Sequence, residues 1–356
     1  LVTGHTGFKG SLLCEWLLGL GAEVHGFALD PQPHETLFHQ LGLSQRLAAD
    51  HRIDVRNLDD VTKCVRETQP KFVFHLAAQP LVRLSFDEPI ATLAVNVMGT
   101  ANLLQALREY DQPCCVVIVT TDKCYENREW VHAYREEDPM GGFDPYSASK
   151  GCAELVTNAF RRSFFQSNQK VKVATARAGN VIGGGDWAID RIVPDIFRAL
   201  RQKARVHVRN RHATRPWQHV LEPLSGYLWL GALLDASQSK ATGVQLTEAF
   251  NFGPQLDSNR TVLQLVEEVL KLVEGQWVDS SDPHAVHEAG RLNLAIDKAY
   301  HHLGWQPVWD FPTAIRKTVD WYETDAAEDS IPSVTWRQIN EYCDAARVAE
   351  ISWTAE

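Results

Sequence analysis

A tyrosine and a lysine four residues apart are the side chains best suited to acid–base chemistry in this chain. Tyr146 and Lys150 bound the sequence YSASK at the start of a predicted helix, so the two side chains lie one turn apart on one face. A free phenol has a pKa of about 10 and is a poor base at neutral pH. A neighbouring ammonium stabilises the phenolate and lowers that pKa. The same spacing is common on exposed helix faces, so the pair indicates a site only if other elements support it.

Three polar residues follow a predicted buried strand that ends at Thr120. Thr121 can hydrogen-bond a reacting hydroxyl or ketone oxygen, and Asp122 and Lys123 form an adjacent acid and base. A solvated loop with a local ion pair is the alternative interpretation. The carboxyl ends of parallel strands are where α/β sheets bind ligands, which favours a functional role for the three residues.

The elements that must position these residues alternate along the chain. Apolar runs rich in Val, Ile, Phe and Ala predict strands over 23–29, 71–76, 115–120, 171–176 and 248–252. Amphipathic stretches predict helices over 8–20, 58–68, 89–110, 146–165, 190–203 and 262–273. This alternation predicts an α/β fold, a Rossmann-type doubly wound parallel sheet. The irregular pattern after about residue 180 predicts a smaller C-terminal substrate-binding lobe, and the acidic segment 325–356 has no predicted place.

A glycine-rich turn joins the first predicted strand to the first helix. Gly4, Gly7 and Gly10 have the spacing G-x-x-G-x-x-G in GHTGFKG, which lets a pyrophosphate approach the backbone at a helix N-terminus. Glycines also serve ordinary tight turns, but the strand–turn–helix context favours a dinucleotide. Phe8 and Lys9 in the same turn are expected to contact it.

The residue that ends the second predicted strand indicates which dinucleotide binds. Asp30, twenty residues after Gly10, can accept a hydrogen bond from a ribose 2′-hydroxyl and would repel a 2′-phosphate, which favours NAD over NADP. A turn-forming aspartate before Pro31 is the alternative. His5 and Lys9 add positive charge nearby, so NADP stays open.

Composition excludes several classes of function. The 356 residues suffice for two lobes, and 44% hydrophobic with 22% charged residues is typical of a globular protein. A net charge of −10 argues against general nucleic-acid binding, and no apolar run is long enough to predict a membrane span. Seven scattered cysteines without C-x-x-C spacing predict free thiols, no metal site and a cytoplasmic protein. Leu1 falls inside the first predicted strand, so we expect residues upstream of it.

Together these residues resemble the extended short-chain dehydrogenase/reductase family, particularly its nucleotide-sugar enzymes. The resemblance extends over nearly the whole chain, through HLAAQP (75–80), NVMGT (96–100), TTDKCY (120–125), YSASK (146–150) and RAGNVIGGGDW (177–187). Thr121–Asp122–Lys123 resembles the signature of 4,6-dehydratases, whose dTDP-glucose members have Glu in place of Lys123. Lysine there, with GFKG, GGGDW (183–187) and TRPWQHVLEP (214–223), resembles the CDP-D-glucose 4,6-dehydratases. That subgroup often has Ser where this chain has Thr121, but the hydroxyl is retained.

The resemblance assigns further residues to the cofactor and the substrate. It implies that Asp54 and Val55 lie beside the adenine of the cofactor, and that Ala77, Ala78 and Gln79 lie at its pyrophosphate and nicotinamide. It further implies that Asn96 organises the site with its amide, and that Tyr146 and Lys150 also bind the cofactor. A purely structural role for Asn96 stays open. It also implies that Asn180 and Arg215 hold the diphosphate of a sugar nucleotide.

A local excess of positive charge supports the diphosphate site. Residues 191–215 contain eight Lys or Arg residues and one acid, Asp195, so the segment carries +7. Guanidinium groups suit phosphate oxygens, and Arg191 and Arg215 are the two candidates that we single out. An ordinary solvated helix face is expected to account for most of the other residues.

The implied reaction is the dehydration of CDP-D-glucose to a 4-keto-6-deoxy sugar. Tyr146 would take the C4 hydroxyl proton, Lys123 the C5 proton, and Asp122 would protonate the leaving C6 hydroxyl, although the roles of Asp122 and Lys123 can be exchanged. The resemblance also implies a homodimer or homotetramer. The implied division is 1–180 plus 220–254 for the NAD-binding domain and 181–219 plus 255–356 for the nucleotide-sugar-binding lobe.

Three alternatives remain open at this point. The chain can be a dTDP- or GDP-hexose 4,6-dehydratase, or a nucleotide-sugar 4-epimerase, which needs Tyr146 and Lys150 but no acid–base pair for elimination. It can also be a silent regulator that binds NAD(P) as a ligand. A regulator would not need Tyr146, Lys150, Thr121 and Asp122 together, which argues against the last alternative.

Overall fold

The computed structural model describes residues 1–31, 36–166, 170–236, 245–282, 289–324 and 329–354. The first half of the chain alternates strand and helix. Its strands are β1 (Val2–Thr3), β2 (His25–Ala28), β3 (Ala49–Arg52), β4 (Phe72–His75), β5 (Cys114–Thr121) and β6 (Val171–Ala178). Its helices are α1 (Phe8–Gly19), α2 (Leu37–Gln40), α3 (Leu58–Thr68), α4 (Val82–Asp87), α5 (Pro89–Leu93), α6 (Gly99–Arg108) and α7 (Pro145–Phe160). Two π-helical turns, Ala94–Met98 and Arg161–Phe165, adjoin α6 and α7.

The second half has short strands and longer helices. Its strands are β7 (Val181–Ile182), β8 (Val206–Val208), β9 (Thr214–Pro216), β10 (Gln218–His219), β11 (Ala249–Phe252), β12 (Asn259–Thr261) and β13 (Trp277–Asp279). Its helices are α8 (Ile192–Arg201), α9 (Leu221–Ala236), α10 (Val262–Leu270), α11 (Asp297–Leu303), α12 (Phe311–Tyr322) and α13 (Ile331–Val348). The predicted helices 190–203 and 262–273 are therefore present with shorter bounds.

One seven-stranded parallel sheet forms the centre of the molecule, in the order β11–β6–β5–β4–β1–β2–β3. This confirms the predicted α/β fold. Register brings the ends of β5, β6 and β11 to one edge, because Thr121 and Phe252 both pair with Ala178. The predicted catalytic residues after β5 therefore emerge at the carboxyl edge of the sheet.

Alternate residues of β5 pack into two different cores. Val116 and Ile118 face α3 and α6, whereas Val117 and Val119 face α1, α9 and the C-terminal helices. Both faces of β5 are buried, as the continuous apolar run predicts for a central parallel strand. Because both faces of β5 are packed, the strand holds Thr121 and the residues after it in a fixed position at the edge of the sheet.

The helical stretch Pro89–Arg108 is long and apolar enough to pass for a membrane span by length and composition alone. Within its most apolar window, 44% of the residues are buried, and α6 packs against α3 and α7. This packing is that of a core helix on a sheet.

Helix α13, which lies in the segment without a predicted place, closes the core over α1. Ser330 caps its first turn by accepting from Ser333 N, and Pro332 occupies the second helical position. The ring of Tyr342 makes an edge contact with Trp16 of α1 at 5.9 Å between centroids. The C-terminal segment thus supports the helix that follows the glycine turn.

Candidate active site

The glycine turn has the geometry that a bound pyrophosphate needs. Gly4 has φ +72°, and a Cβ on it would lie 2.7 Å from the amide nitrogen of Ala77. A Cβ on Gly10 would lie 2.2 Å from the carbonyl oxygen of Gly4. Gly7 precedes α1 without any side-chain cap, so N–H groups of the first turn remain available to an anion.

The residues predicted at the adenosine end line the same cavity as the glycine turn. Asp30, Asp54 and Val55 all border it. Asp30 is 85% exposed and forms an ion pair with Arg52 of β3, with 3.1 Å between Oδ1 and Nε. Hydrogen bonds from the Arg56 guanidinium hold the pKa of Asp54 below its usual value. Arg52 is a neighbour of Asp30 that the sequence analysis missed.

The loop after β4 is held by Asn96 from behind the cavity. The amide of Asn96 accepts from Gln79 N at 2.8 Å and donates to Gln79 O at 3.1 Å and to Ser149 Oγ at 2.8 Å. Ala77 and Ala78 border the cavity, whereas Gln79 and Asn96 are not among its lining residues. Asn96 therefore joins the loop to α7 without facing the cavity.

Tyr146 and Lys150 lie together on α7 and both face the cavity. Burial raises the pKa of Tyr146 to about 12, while a hydrogen bond with Thr121 and the charge of Arg191 act in the opposite direction. Burial lowers the pKa of Lys150 to about 8, and Glu154 opposes that fall. The phenol thus needs further cationic charge in the site before it can act as a base near neutral pH.

The three residues after β5 separate into two that reach the cavity and one that does not. Thr121 and Lys123 border the cavity, and Lys123 Nζ lies 3.5 Å from Asn180 Oδ1. Asp122 is fully buried, accepts from Thr121 Oγ1 at 2.9 Å, and points its Oδ2 toward Gly179. That oxygen has no hydrogen-bond partner in the described part of the chain.

The predicted phosphate-binding residues border the far wall of the cavity. Arg191 donates to Asp186 Oδ2 at 2.8 Å, and Arg215 on β9 is 6% exposed and donates to its neighbour Thr214 O at 2.9 Å. Lys9 also borders the cavity, and burial and Arg191 lower the pKa of its ammonium to about 8. Cationic groups from α1, β9 and the start of α8 therefore surround one space.

Several residues of the predicted basic segment form ion pairs with acids. Arg198 binds Asp195, and Arg209 binds both Asp190 and Asp195. Arg201 stacks on the ring of Trp187 at 4.7 Å. These pairs offset part of the excess charge. Arg191 is paired with Asp186 as well, but it borders the cavity together with Arg215, and both remain phosphate candidates.

The cavity is large enough for two nucleotides. Its volume is about 1880 Å³, above the usual range of about 300–1,000 Å³ for a single ligand pocket. It extends from the glycine turn past Tyr146 to Arg209 and His212 in the second half of the chain. Among the residues with described positions, no three His, Cys, Asp or Glu side chains converge as metal ligands.

The parallel sheet, the glycine turn before α1 and the tyrosine–lysine pair on α7 define a Rossmann-type protein of the extended short-chain dehydrogenase/reductase class. The chain belongs to the GDP-mannose 4,6 dehydratase family, whose sequence model matches residues 1–318.

Individual relatives agree with this assignment. A CDP-glucose 4,6-dehydratase from Salmonella typhimurium is 44% identical over 97% of this chain and 96% of its own. A dTDP-glucose 4,6-dehydratase from Bacillus anthracis in complex with NAD superposes with a TM-score of 0.73, covering 92% of this chain and 96% of that one, at 20% identity. A UDP-glucose 4-epimerase from Thermus thermophilus in complex with NAD has a TM-score of 0.71 at 25% identity, covering 91% and 99%.

Proposed function

We propose that this protein dehydrates CDP-D-glucose to CDP-4-keto-6-deoxy-D-glucose, with NAD as its cofactor. The observation that carries the proposal is that Tyr146, Lys150, Thr121 and Lys123 face one cavity with room for a dinucleotide and a sugar nucleotide. The 44% identity to the Salmonella CDP-glucose 4,6-dehydratase over nearly both chains supports the reaction and the cytidine nucleotide.

The residues present fit a dinucleotide. Gly4 and Gly10 form a cradle that a Cβ would fill, and the uncapped start of α1 faces it. Asp30 would hold the ribose 2′-hydroxyl, with Asp54 and Val55 at the adenine. A bound NAD would supply the hydride acceptor for C4 of the sugar and the hydride donor for C6.

The residues at the end of β5 and the start of α7 divide the proton transfers. Tyr146 takes the C4 hydroxyl proton, and Lys150 and Arg191 supply the positive charge that favours its phenolate. The C5 proton becomes acidic once C4 is a ketone, and Lys123 is placed in the cavity to remove it. Thr121, whose hydroxyl donates to Asp122 in the structure, would hold the reacting oxygen once Asp122 turns away from it.

Asp122 is the proposed acid for the leaving C6 hydroxyl. Because its carboxyl points toward Gly179, this role requires the Asp122 side chain to rotate into the cavity. Asn180, Arg191 and Arg215 would hold the diphosphate of the substrate by charge-assisted hydrogen bonds. These contacts fix the sugar between Tyr146 and Lys123.

We also propose the division into lobes, the assembly and the compartment. The proposed lobes are 1–180 plus 220–254 and 181–219 plus 255–356. Ile90, Met98 and Leu155, between 55% and 76% exposed, give adjacent helices an apolar outer face that a second copy would cover in a homodimer or homotetramer. All seven cysteines lie in described ranges as free thiols, which supports a cytoplasmic location.

The substrate is tested by incubation with CDP-, dTDP-, UDP- and GDP-glucose and measurement of product mass. We expect water loss from CDP-glucose, with a kcat/KM higher than for dTDP-glucose. CDP-glucose deuterated at C4 should give product deuterated at C6, while solvent hydrogen enters only C5.

Each alternative predicts a different outcome. Equal kcat/KM values for CDP- and dTDP-glucose would remove the nucleotide assignment and keep the dehydratase. Deuterium retained at C4 without loss of water would indicate an epimerase. No change in any of the four substrates would indicate a regulator.

The variant Gly10→Ala should lose cofactor affinity because its Cβ would meet the carbonyl oxygen of Gly4, which is backbone and cannot swing aside. Overpacking costs about 1–3 kcal/mol, or roughly 5- to 150-fold in affinity if the cofactor site absorbs the shift. Titration with NAD, followed by tryptophan fluorescence, measures the loss. Gly21→Ala is the control for a change that strains the backbone away from the cavity, because Gly21 has φ +77° and nothing within 4 Å of its Cβ position, so NAD affinity should be kept. Equal NAD affinity in wild type and Gly10→Ala would contradict the proposed cofactor turn.

A further inference from the structure

A buried carboxylate–guanidinium pair lies behind the catalytic residues. Glu154 is 3% exposed and Arg177 is 5% exposed, and 2.9 Å separates Glu154 Oε2 from Arg177 Nη2. The same carboxylate accepts hydrogen bonds from the hydroxyls of Thr120 and Thr175. Burial raises the pKa of Glu154, but Arg177 and the two hydroxyls outweigh burial and hold the pKa below its usual value. Glu154 is therefore an ionised acid inside the protein.

Arg177 extends this pair to the turn that carries the catalytic residues. It donates to Tyr125 Oη at 2.8 Å and to Glu136 O at 3.0 Å. Tyr125 comes two residues after Lys123, and its hydroxyl donates to Asn251 on β11 at 2.7 Å. These hydrogen bonds thus connect Glu154 on α7 with Arg177 on β6, with the turn Asp122–Cys124 and Tyr125 after β5, and with β11.

Stability alone does not account for such a pair. Replacing a buried ion pair by apolar residues of similar volume is often neutral or stabilising, because desolvation offsets the attraction of the charges. Glu154, however, lies one helical turn after Lys150 on the same face of α7. Its partner Thr120 directly precedes Thr121 on β5. The carboxylate therefore touches both segments that carry the proposed catalytic groups.

We infer that Glu154 is a positioning residue for the reaction: with Arg177 it fixes the turn that holds Thr121 and Lys123 relative to α7, and its negative charge keeps Lys150 in the ammonium form. The inference rests on the proposed roles of Tyr146 and Lys150. Glu154 does not line the catalytic cavity, so it acts through these neighbours.

Among the groups that act on Lys150, Glu154 supplies the largest influence of opposite charge. Cys124 is buried and its pKa is raised, so the thiol stays neutral. Burial lowers the pKa of His75 to about 3, so its ring is neutral too. Lys9, from α1, is a cation that opposes the ammonium form. Removing the charge of Glu154 should therefore lower the pKa of Lys150 below about 8.

The test measures the titration of Lys150 directly. Wild type and Glu154→Gln are treated with acetic anhydride at pH 6 to 10, and acetylation of Lys150 is followed by peptide mass spectrometry. We expect the midpoint to move down by about one pH unit in the variant, as for loss of a nearby opposite charge. Where CDP-glucose is turned over, the alkaline limb of C4 oxidation should move by the same amount. Thr175→Val, which removes one hydrogen bond and no charge, should leave the midpoint in place, and Glu154→Asp should restore it.

Loss of fold is separated from loss of function by a second variant. Glu154→Gln leaves Arg177 buried without its counter-charge, whereas Glu154→Gln with Arg177→Met leaves no unpaired charge and should show a smaller shift in the same direction, because the loss of the Arg177 charge partly offsets the loss of Glu154. An unchanged or raised midpoint in a folded variant would overturn the inference. Failure of both variants to fold would also overturn it, because the pair would then serve folding alone. A shifted midpoint in a protein that does not dehydrate CDP-glucose would support this inference and remove the proposed function.

Discussion

Tyr146→Phe is expected to lower the rate of C4 oxidation by about 10²–10⁴-fold, the usual cost of removing a general base. The phenol borders the cavity beside Thr121. Phenylalanine keeps the volume of the ring, so the packing of a side chain that is only 8% exposed should persist. Stopped-flow absorbance of reduced nicotinamide, after mixing the NAD-loaded enzyme with CDP-glucose, measures the oxidation step.

Tyr300→Phe is the matched control, because Tyr300 is 51% exposed on α11 and outside the cavity. Its oxidation rate should equal that of wild type. Near-wild-type turnover in Tyr146→Phe would remove Tyr146 as the base, whereas a loss of NAD affinity without a change in rate would restrict it to binding.

Lys123→Met should stop the reaction after oxidation. Lys123 lies in the cavity next to Asn180, and methionine has a similar length but cannot take the C5 proton. Product formation should fall by about 10²–10⁴-fold while the C4 hydride still leaves the sugar. Absorbance of reduced nicotinamide should therefore build up on mixing, and water loss measured by mass should lag behind it.

Two further variants distinguish the roles at the end of β5. Lys63→Met is the control for charge removal, since Lys63 is 72% exposed on α3. Asp122→Asn should also stall elimination if Asp122 rotates into the cavity as the proposed acid. Loss of oxidation without build-up in Lys123→Met would show that Lys123 binds or orients the substrate.

The sequence predicted those elements whose burial leaves a periodic pattern. The central strands β4, β5 and β6 are apolar because both of their faces are covered. Strand β3, by contrast, has the sequence ADHR at the edge of the sheet, half-buried, and carries no such run. Its place depends on pairing with β2, which no local pattern encodes. Helix α13 was missed because its packing on Trp16 joins residues more than 300 positions apart.

The sequence predicted which residues form the site, but it did not predict how deeply each of them is buried. Tyr146, Lys150, Thr121 and Lys123 reach one cavity as their positions at element ends predict. The burial of Asp122 depends on the neighbouring strand, because its carboxyl lies against Gly179 after β6. The ion pair of Glu154 and Arg177 was equally invisible, since each residue is an ordinary charge in its own segment. A carboxylate one turn after Lys150 was the only local signal for it.

The cover of α1 by α13 has a consequence for synthesis on the ribosome. About 320 residues separate the starts of the two helices, so at ordinary elongation rates α13 follows α1 by on the order of 15–65 s. During that time the face of α1 that includes Trp16 has no Tyr342 to pack against. Until translation has passed residue 348, the face of α1 beside the glycine turn therefore lacks the part of its cover that α13 supplies.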